Sequence, residues 1–143
     1  MNFAYGGVVI NRRGEVLLRE PANHFDGYSW TFAKGRPEHD EEPQTTAVRE
    51  VCEETGVVGE IIKRLPGEFR GSTTRNIYYL MKPFGIVGDF DREETQAIQW
   101  ATVEEAKRLL ALSANPAGRQ RDLAVLAAAV KAWKASGENH HGI

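Results

Sequence analysis

Residues 35–57 read GRPEHDEEPQTTAVREVCEETGV, and the spacing inside this stretch governs how the rest of the chain is read. Gly35 and Pro37 keep residues 33 to 42 from being regular throughout. Pro43 suits a first helical turn and Gly56 a C-terminal stop, which predicts a helix from Pro43 to about Thr55. Ala47, Val48, Val51 and Cys52 fall at helical spacing and form its buried stripe. Glu50, Glu53 and Glu54 stand at i, i+3 and i+4, so three carboxylates share one face, away from that stripe. Like charges on one rigid turn repel. A hard divalent cation held by carboxylate oxygens, magnesium or manganese, offsets that repulsion. Arg49 lies one turn from Glu53 and can orient it by a charge-assisted hydrogen bond. A merely solvated helix face accounts for the glutamates. It leaves Gly35, Glu41 and Gly56, at their set distances from the cluster, without a reason.

Upstream, Ala4 to Ile10 is apolar and β-branched, Asn11-Arg12-Arg13-Gly14 is a turn, and Glu15 to Arg19 returns, which predicts a hairpin. A loop of turn formers follows (Pro21, Asn23, Asp26, Gly27), and Ser29-Trp30-Thr31-Phe32 reads as a short strand. Downstream, Val57 to Leu65, Asn76 to Pro83 and Gln96 to Ala101 are strand candidates. Thr102 caps a helix running through Leu112, with Glu105 at capping-box spacing. A last helix is predicted over about 119–135, where Leu123, Leu126, Val130 and Trp133 recur at three- and four-residue intervals. The end from Asn139 onward reads as frayed. Strands interrupted by one central helix, with helices last, predict an α+β or α/β sandwich.

The length of 143 residues suits one domain, residues 1–143, with a real core. At 41% hydrophobic and 27% charged residues the balance is that of an ordinary globular chain. No apolar run approaches a membrane span, and Met1-Asn2-Phe3-Ala4-Tyr5 lacks the start of a secretory signal. One cysteine, Cys52, excludes an internal disulfide framework, and the expected compartment is the cytoplasm. A net charge of −2 gives no reason to expect nucleic acid as a partner. His24, His39 and the pair His140-His141 lack ligand spacing and read as surface residues; Cys52 reads as buried and inert. Trp30, Phe32, Trp100 and Trp133 read as core rather than as a stacking set.

The 35–57 stretch is similar to the signature of the Nudix hydrolases, Gly-x5-Glu-x7-Arg-Glu-U-x-Glu-Glu-x-Gly-U with U a bulky aliphatic, and every defined position matches. Gly6-Gly7-Val8-Val9, Trp30-x-Phe32-x-Lys34-Gly35 and Trp100-Ala101-Thr102-Val103-Glu104-Glu105-Ala106 also look like family stretches, so the resemblance covers roughly residues 3 to 112. It implies an α/β/α sandwich around a mixed sheet, with the 35–57 box as a catalytic loop–helix–loop. It implies Glu50 and Glu54 as principal metal ligands, joined by Glu53 and by the Gly35 carbonyl. Glu41 and Arg49 would hold loop and helix in register. The implied reaction is metal-dependent hydrolysis of a phosphoanhydride bond in a nucleoside diphosphate linked to another group. Glu53, or a glutamate outside the box, would take the proton from the attacking water. Of Glu93 and Glu94, Glu94 is the favoured extra glutamate.

Flanking residues choose the substrate. Lys34 beside Gly35 is placed to meet a phosphate, Arg36 less directly, and Arg70 and Arg75 could neutralise a longer polyphosphate. Tyr78 and Tyr79 are neighbours on one predicted strand, so only one can face a base; Tyr79 is the candidate. Residues 30–38 and 94–100 resemble dinucleoside-polyphosphate and diphosphoinositol-polyphosphate hydrolases. Ala33 departs from a common proline there and Asp40 from a common glycine, and Ser72 occupies about the place of a proline that marks ADP-ribose hydrolases. Diadenosine tetraphosphate is the leading expectation. The alternatives are nucleoside triphosphates, damaged ones included, or a nucleotide sensor without turnover. The expected partner is a small nucleotide, with no membrane and a monomer or homodimer.

Overall fold

Two adjacent strands with period-two alternation set the layering. In the computed structural model, which describes residues 2–71 and 73–138, β1 (Asn2–Val9) and β6 (Thr74–Ile86) run parallel, Val8 opposite Leu80 and Val9 opposite Met81. Successive side chains on a strand point to opposite faces, so each strand feeds two cores. Val8, Tyr78 and Leu80 join one cluster with Val16 and Leu18 of β2 (Val16–Pro21), Leu110 of α2 (Val103–Ala111) and Leu126 of α3 (Pro116–Ser136). Val9, Tyr79 and Met81 join the other, with Ala47 and Val51 of α1 (Pro43–Thr55). The sheet carrying this double core has the order β3-β1-β6-β4, with β3 at Ala33–Gly35 and β4 at Val57–Arg64. Its remaining pairings are antiparallel, including β5 (Phe69–Arg70) on β6, so the sheet is mixed. A second, two-stranded sheet pairs β2 with β7 (Thr95–Ala101). With α1 on one face and α2 and α3 on the other, the chain is an α/β/α sandwich of the α+β class.

The central helix and α2 fall where the sequence places them. Gly56 ends α1 in the left-handed region at φ 76°, and both halves of the Thr102–Glu105 capping box form. Asp40, where a glycine is common, also sits at φ 60°, a conformation aspartate tolerates better than most residues. The first hairpin is corrected. Asn11 closes a turn with Glu15, but only Ile10 and Val16 bridge before β2 diverges to β7. The reason is that β1 already has β3 on one edge and β6 on the other, so no edge is left for β2. The strand expected over Ser29–Phe32 is also corrected. Thr31 makes a single bridge to Arg19, and the regular pairing starts at Ala33. The last helix starts at Pro116 rather than near Arg119, because Asn115 caps it by accepting from the Gly118 amide. Ser72, His140 and His141 lie outside the described residues. No helix among those described is long and apolar enough to cross a membrane.

Candidate active site

The site is assembled on the last turns of α1. Gly35, at the end of β3, passes so close to this helix that a Cβ there would overlap the Glu50 carboxylate. Any larger residue there would push that carboxylate aside. At the C-terminus of α1, the Asp91 amide donates to the Glu53 carbonyl at 2.8 Å and the Val87 amide to the Gly56 carbonyl at 2.8 Å. These bonds tie the segment before β7 to the helix end. They bring Asp91 and Glu94 to the carboxylates, closing a cleft of about 250 Å³ with Lys34, Gly35, Glu50, Glu53 and Glu54.

Arg49 organises the outer half of this cluster. Its guanidinium grips Glu41 through two bonds of 2.8 and 2.9 Å, reaches Glu50 at 2.8 Å and Glu53 at 3.2 Å, and donates to the Arg36 carbonyl at 3.1 Å. The Glu41 carboxyl is held down at about 2, chiefly by its hydrogen bonds from Arg49. The inner half is different. Glu54 is buried, with Arg19 Nε 3.3 Å away and the Lys34 amide donating at 3.3 Å. Burial pushes its carboxyl well above the usual range; Arg19 opposes this, while the facing Glu50 carboxyl reinforces it. Arg19 itself is fixed by Thr95 at 2.8 Å and by the Glu94 carbonyl at 2.6 Å.

Among the described residues no three acidic, histidine or cysteine side chains are already gathered tightly enough to hold a metal ion. Glu50 and Glu53 are turned to Arg49, and the Glu54 carboxyl faces that of Glu50. The donor chemistry nevertheless fits a hard cation. Two facing carboxyls, one of them buried, are a place where a divalent ion offsets the repulsion between them. Glu50, Glu54, Glu53 and the Gly35 carbonyl are the oxygens available.

A wider cleft of about 520 Å³ continues from Lys34, Glu54 and Glu94 toward Tyr28, Phe25 and Arg121. Lys34 is half-buried, and burial lowers its ammonium pKa, as does nearby Arg121. A larger hollow near Arg12, Lys82 and Trp133 shares no lining residue with the acidic cluster.

Of the residues singled out from sequence, the structure thus gathers Lys34, Gly35, Glu50, Glu53, Glu54 and Glu94, with Arg49 behind them. The others do not line this cleft. Arg36 is exposed and offers only its carbonyl to Arg49. Arg70 is exposed on β5, and Arg75 is paired with Glu68 at 2.6 Å and stacked over Phe3. Tyr79 is buried in the α1-side core. Cys52 is half-buried rather than buried. Arg19, Asp91 and Arg121 were missed. Arg19 carried a faint signal, a charge ending the apolar run Val16-Leu17-Leu18; the other two carried none.

Comparison with known proteins places this geometry. Residues 2–122 match the family model described as the NUDIX domain. The chain is 37% identical to a MutT-like protein of Streptomyces ambofaciens over 73% of this chain and 66% of that protein. It is 33% identical to the CTP pyrophosphohydrolase of Escherichia coli (strain K12) over 68% of this chain and 74% of that one. In structure it resembles a NUDIX hydrolase from Nitrosomonas europaea, with a TM-score of 0.68 at 18% identity, covering 87% of this chain and 88% of that one.

Proposed function

The chain belongs to the Nudix family, and from that premise we propose that it is a divalent-metal-dependent pyrophosphohydrolase of nucleoside triphosphates. The observation that carries this reading is the continuity of the two clefts: the acidic cluster opens, past Lys34, into a cavity that takes a nucleoside. The leading expectation of a dinucleoside polyphosphate rested on the resemblance of residues 30–38 and 94–100 and on Arg36, Arg70 and Arg75 joining Lys34 in one groove. None of the three lines either cleft, and Arg75 is already neutralised by Glu68. With Lys34 alone of those four cations lining the clefts, a short phosphate chain suits the site better. The name of the CTP pyrophosphohydrolase points the same way. A nucleotide substrate and a single cysteine fit a reducing, cytoplasmic setting.

Glu50, Glu54, Glu53 and the Gly35 carbonyl would hold the metal, which neutralises phosphate charge and lowers the pKa of bound water. Glu94, whose carboxylate has no hydrogen-bond partner among the described residues, takes the proton from the attacking water as its oxygen bonds to phosphorus. The P–O bond between the α and β phosphorus atoms breaks, and its electrons stay on the bridging oxygen, which departs with the pyrophosphate or the nucleoside monophosphate; Lys34 offsets that charge. Arg49 is a positioning residue: it holds Glu53 and Glu50 against the loop through Glu41. A panel of nucleoside triphosphates, diadenosine tetraphosphate, ADP-ribose and a nucleotide sugar in magnesium tests the reading. At least one triphosphate should yield a monophosphate and pyrophosphate faster than any other compound is cleaved. Cleavage confined to diadenosine tetraphosphate or a sugar conjugate would overturn it.

A further inference from the structure

Arg19 sits near the end of β2, in the two-stranded sheet, yet its side chain reaches the last turn of α1, which packs on the other sheet. Its backbone amide and carbonyl are both bonded to Thr31, at 3.0 and 2.9 Å, so the side chain starts from a fixed point. The side chain is 10% exposed, and a buried charge needs partners. Those partners belong to two segments that converge on the acidic cleft. Nε lies 3.3 Å from a Glu54 oxygen and donates to the buried Thr95 hydroxyl at 2.8 Å. Nη2 donates to the Glu94 carbonyl at 2.6 Å. Backbone bonds tie the start of the 91–95 turn to α1, through the Asp91 amide on the Glu53 carbonyl. At the far end of that turn, Arg19 is the one group among the described residues that is bonded to Glu54 and to both Glu94 and Thr95.

We propose that Arg19 is a positioning residue, whose guanidinium holds Glu94 in register with Glu54 so that the base meets the attacking water beside the metal-binding carboxylates. This rests on the roles given to Glu54 and Glu94 above. The guanidinium suits the task because it is planar, with Nε and Nη2 at a fixed spacing along one edge; the ammonium of a lysine is a point charge on a flexible stem. A base has to stand within about 3 Å of the proton it takes. A misplacement of about 1 Å costs about a hundredfold in rate. Glu94 enters the cleft from an exposed turn, so its placement depends on what grips its backbone. Besides Arg19, the Glu94 carbonyl is held by the Ala22 amide, which has no bond to α1.

Two variants loosen this grip while leaving a cation beside Glu54. Arg19→Lys removes the planar edge. Thr95→Val removes the hydroxyl that Nε holds, at nearly the same volume. Each is measured alone and with Glu94→Gln, in magnesium, on the nucleoside triphosphate cleaved fastest and at a temperature where circular dichroism shows every variant folded. Arg19→Lys should lower kcat by about a hundredfold, Thr95→Val by about tenfold, with KM within about threefold of wild type. Neither should lower the residual rate of Glu94→Gln by more than about threefold, because nothing is left to place once the base is gone. A purely structural role would lower the melting temperature without this coupling. Amide hydrogen exchange over residues 91–95, measured without magnesium or substrate, should quicken in both variants. Wild-type kcat in both variants, losses that multiply with that of Glu94→Gln, or unchanged exchange would overturn the assignment of Arg19 alone. Glu94→Gln at the wild-type rate would remove Glu94 as the base and Arg19 with it. If another phosphoanhydride is cleaved and no triphosphate is, the substrate reading fails, and the same cycle on that compound decides the role of Arg19.

Discussion

The polar network on α1 and the one on α3 contain the same kinds of groups, arginines facing carboxylates, yet they are built oppositely. Arg49, Glu41, Glu50 and Glu53 come from one short stretch, and their arrangement is exchangeable. Glu53 is half-exposed, and the carboxylates that Arg49 holds are those a metal would draw away. Arg121, Asp122 and Thr31 come together from residues some 90 positions apart, are buried, and have one satisfied arrangement with a single donor left over. The first network stores charge for chemistry; the second fixes a shape. Screening and competition govern the first, desolvation the second.

Substitutions on the two networks should therefore fail in different ways. Glu54→Gln has the largest expected effect, a loss of about three powers of ten in turnover. Its stability behaviour is the sharper test. The folded carboxyl pKa lies above its unfolded value, so the charged form weakens the fold near neutrality, and that penalty fades as pH falls. In chelator the variant should melt no lower than wild type, and magnesium should no longer raise its Tm. A large loss of stability in chelator would mean Glu54 is a structural ion-pair partner of Arg19. Arg49→Ala should follow, with turnover down by about a hundredfold at an intact fold, because ligand orientation is lost rather than a ligand.

Thr31→Val acts on the other network. It removes the 2.6 Å bond to Asp122 and should cost about 1–3 kcal/mol in denaturant unfolding. A variant as stable as wild type would show that the α3 network is no more rigid than the α1 one. Glu41→Gln should give the smallest effect. Glu41 titrates at about 2 when folded against 4.5 when free, so its contribution is complete above the ordinary carboxylate range and drains as pH falls toward 2. Acid unfolding of the variant should show a weaker pH dependence in that window, with its deficit against wild type largest near neutrality and closing as pH falls toward 2.

The contrast also explains what was legible. Gly35, Glu41, Arg49, Glu50, Glu53 and Glu54 lie within 20 positions, and helical geometry alone puts the acids on one face. The apolar run Ala4 to Ile10 and the stretch from Asn76 to Pro83 likewise read as strands, while their feeding of two separate cores emerged only from the structure. The burial of Glu54 was hidden, because its partner Arg19 arrives from β2 by a path that depends on β1 having no free edge. Arg121 and Asp122 carry no signal in the sequence; only the packing of α3 against Thr31 and Tyr28 makes them a buried pair. Arg75 misled for the same reason, since its partner Glu68 is settled by the β5–β6 pairing.

Product analysis by phosphorus NMR tests the central claim most directly. Wild-type protein with its best nucleoside triphosphate and magnesium should give a nucleoside monophosphate and pyrophosphate. That signal should vanish in chelator and in Glu54→Gln while the far-ultraviolet circular dichroism of the variant stays that of wild type. Orthophosphate with a nucleoside diphosphate as the products, or undiminished pyrophosphate release by a folded Glu54→Gln, would contradict the account.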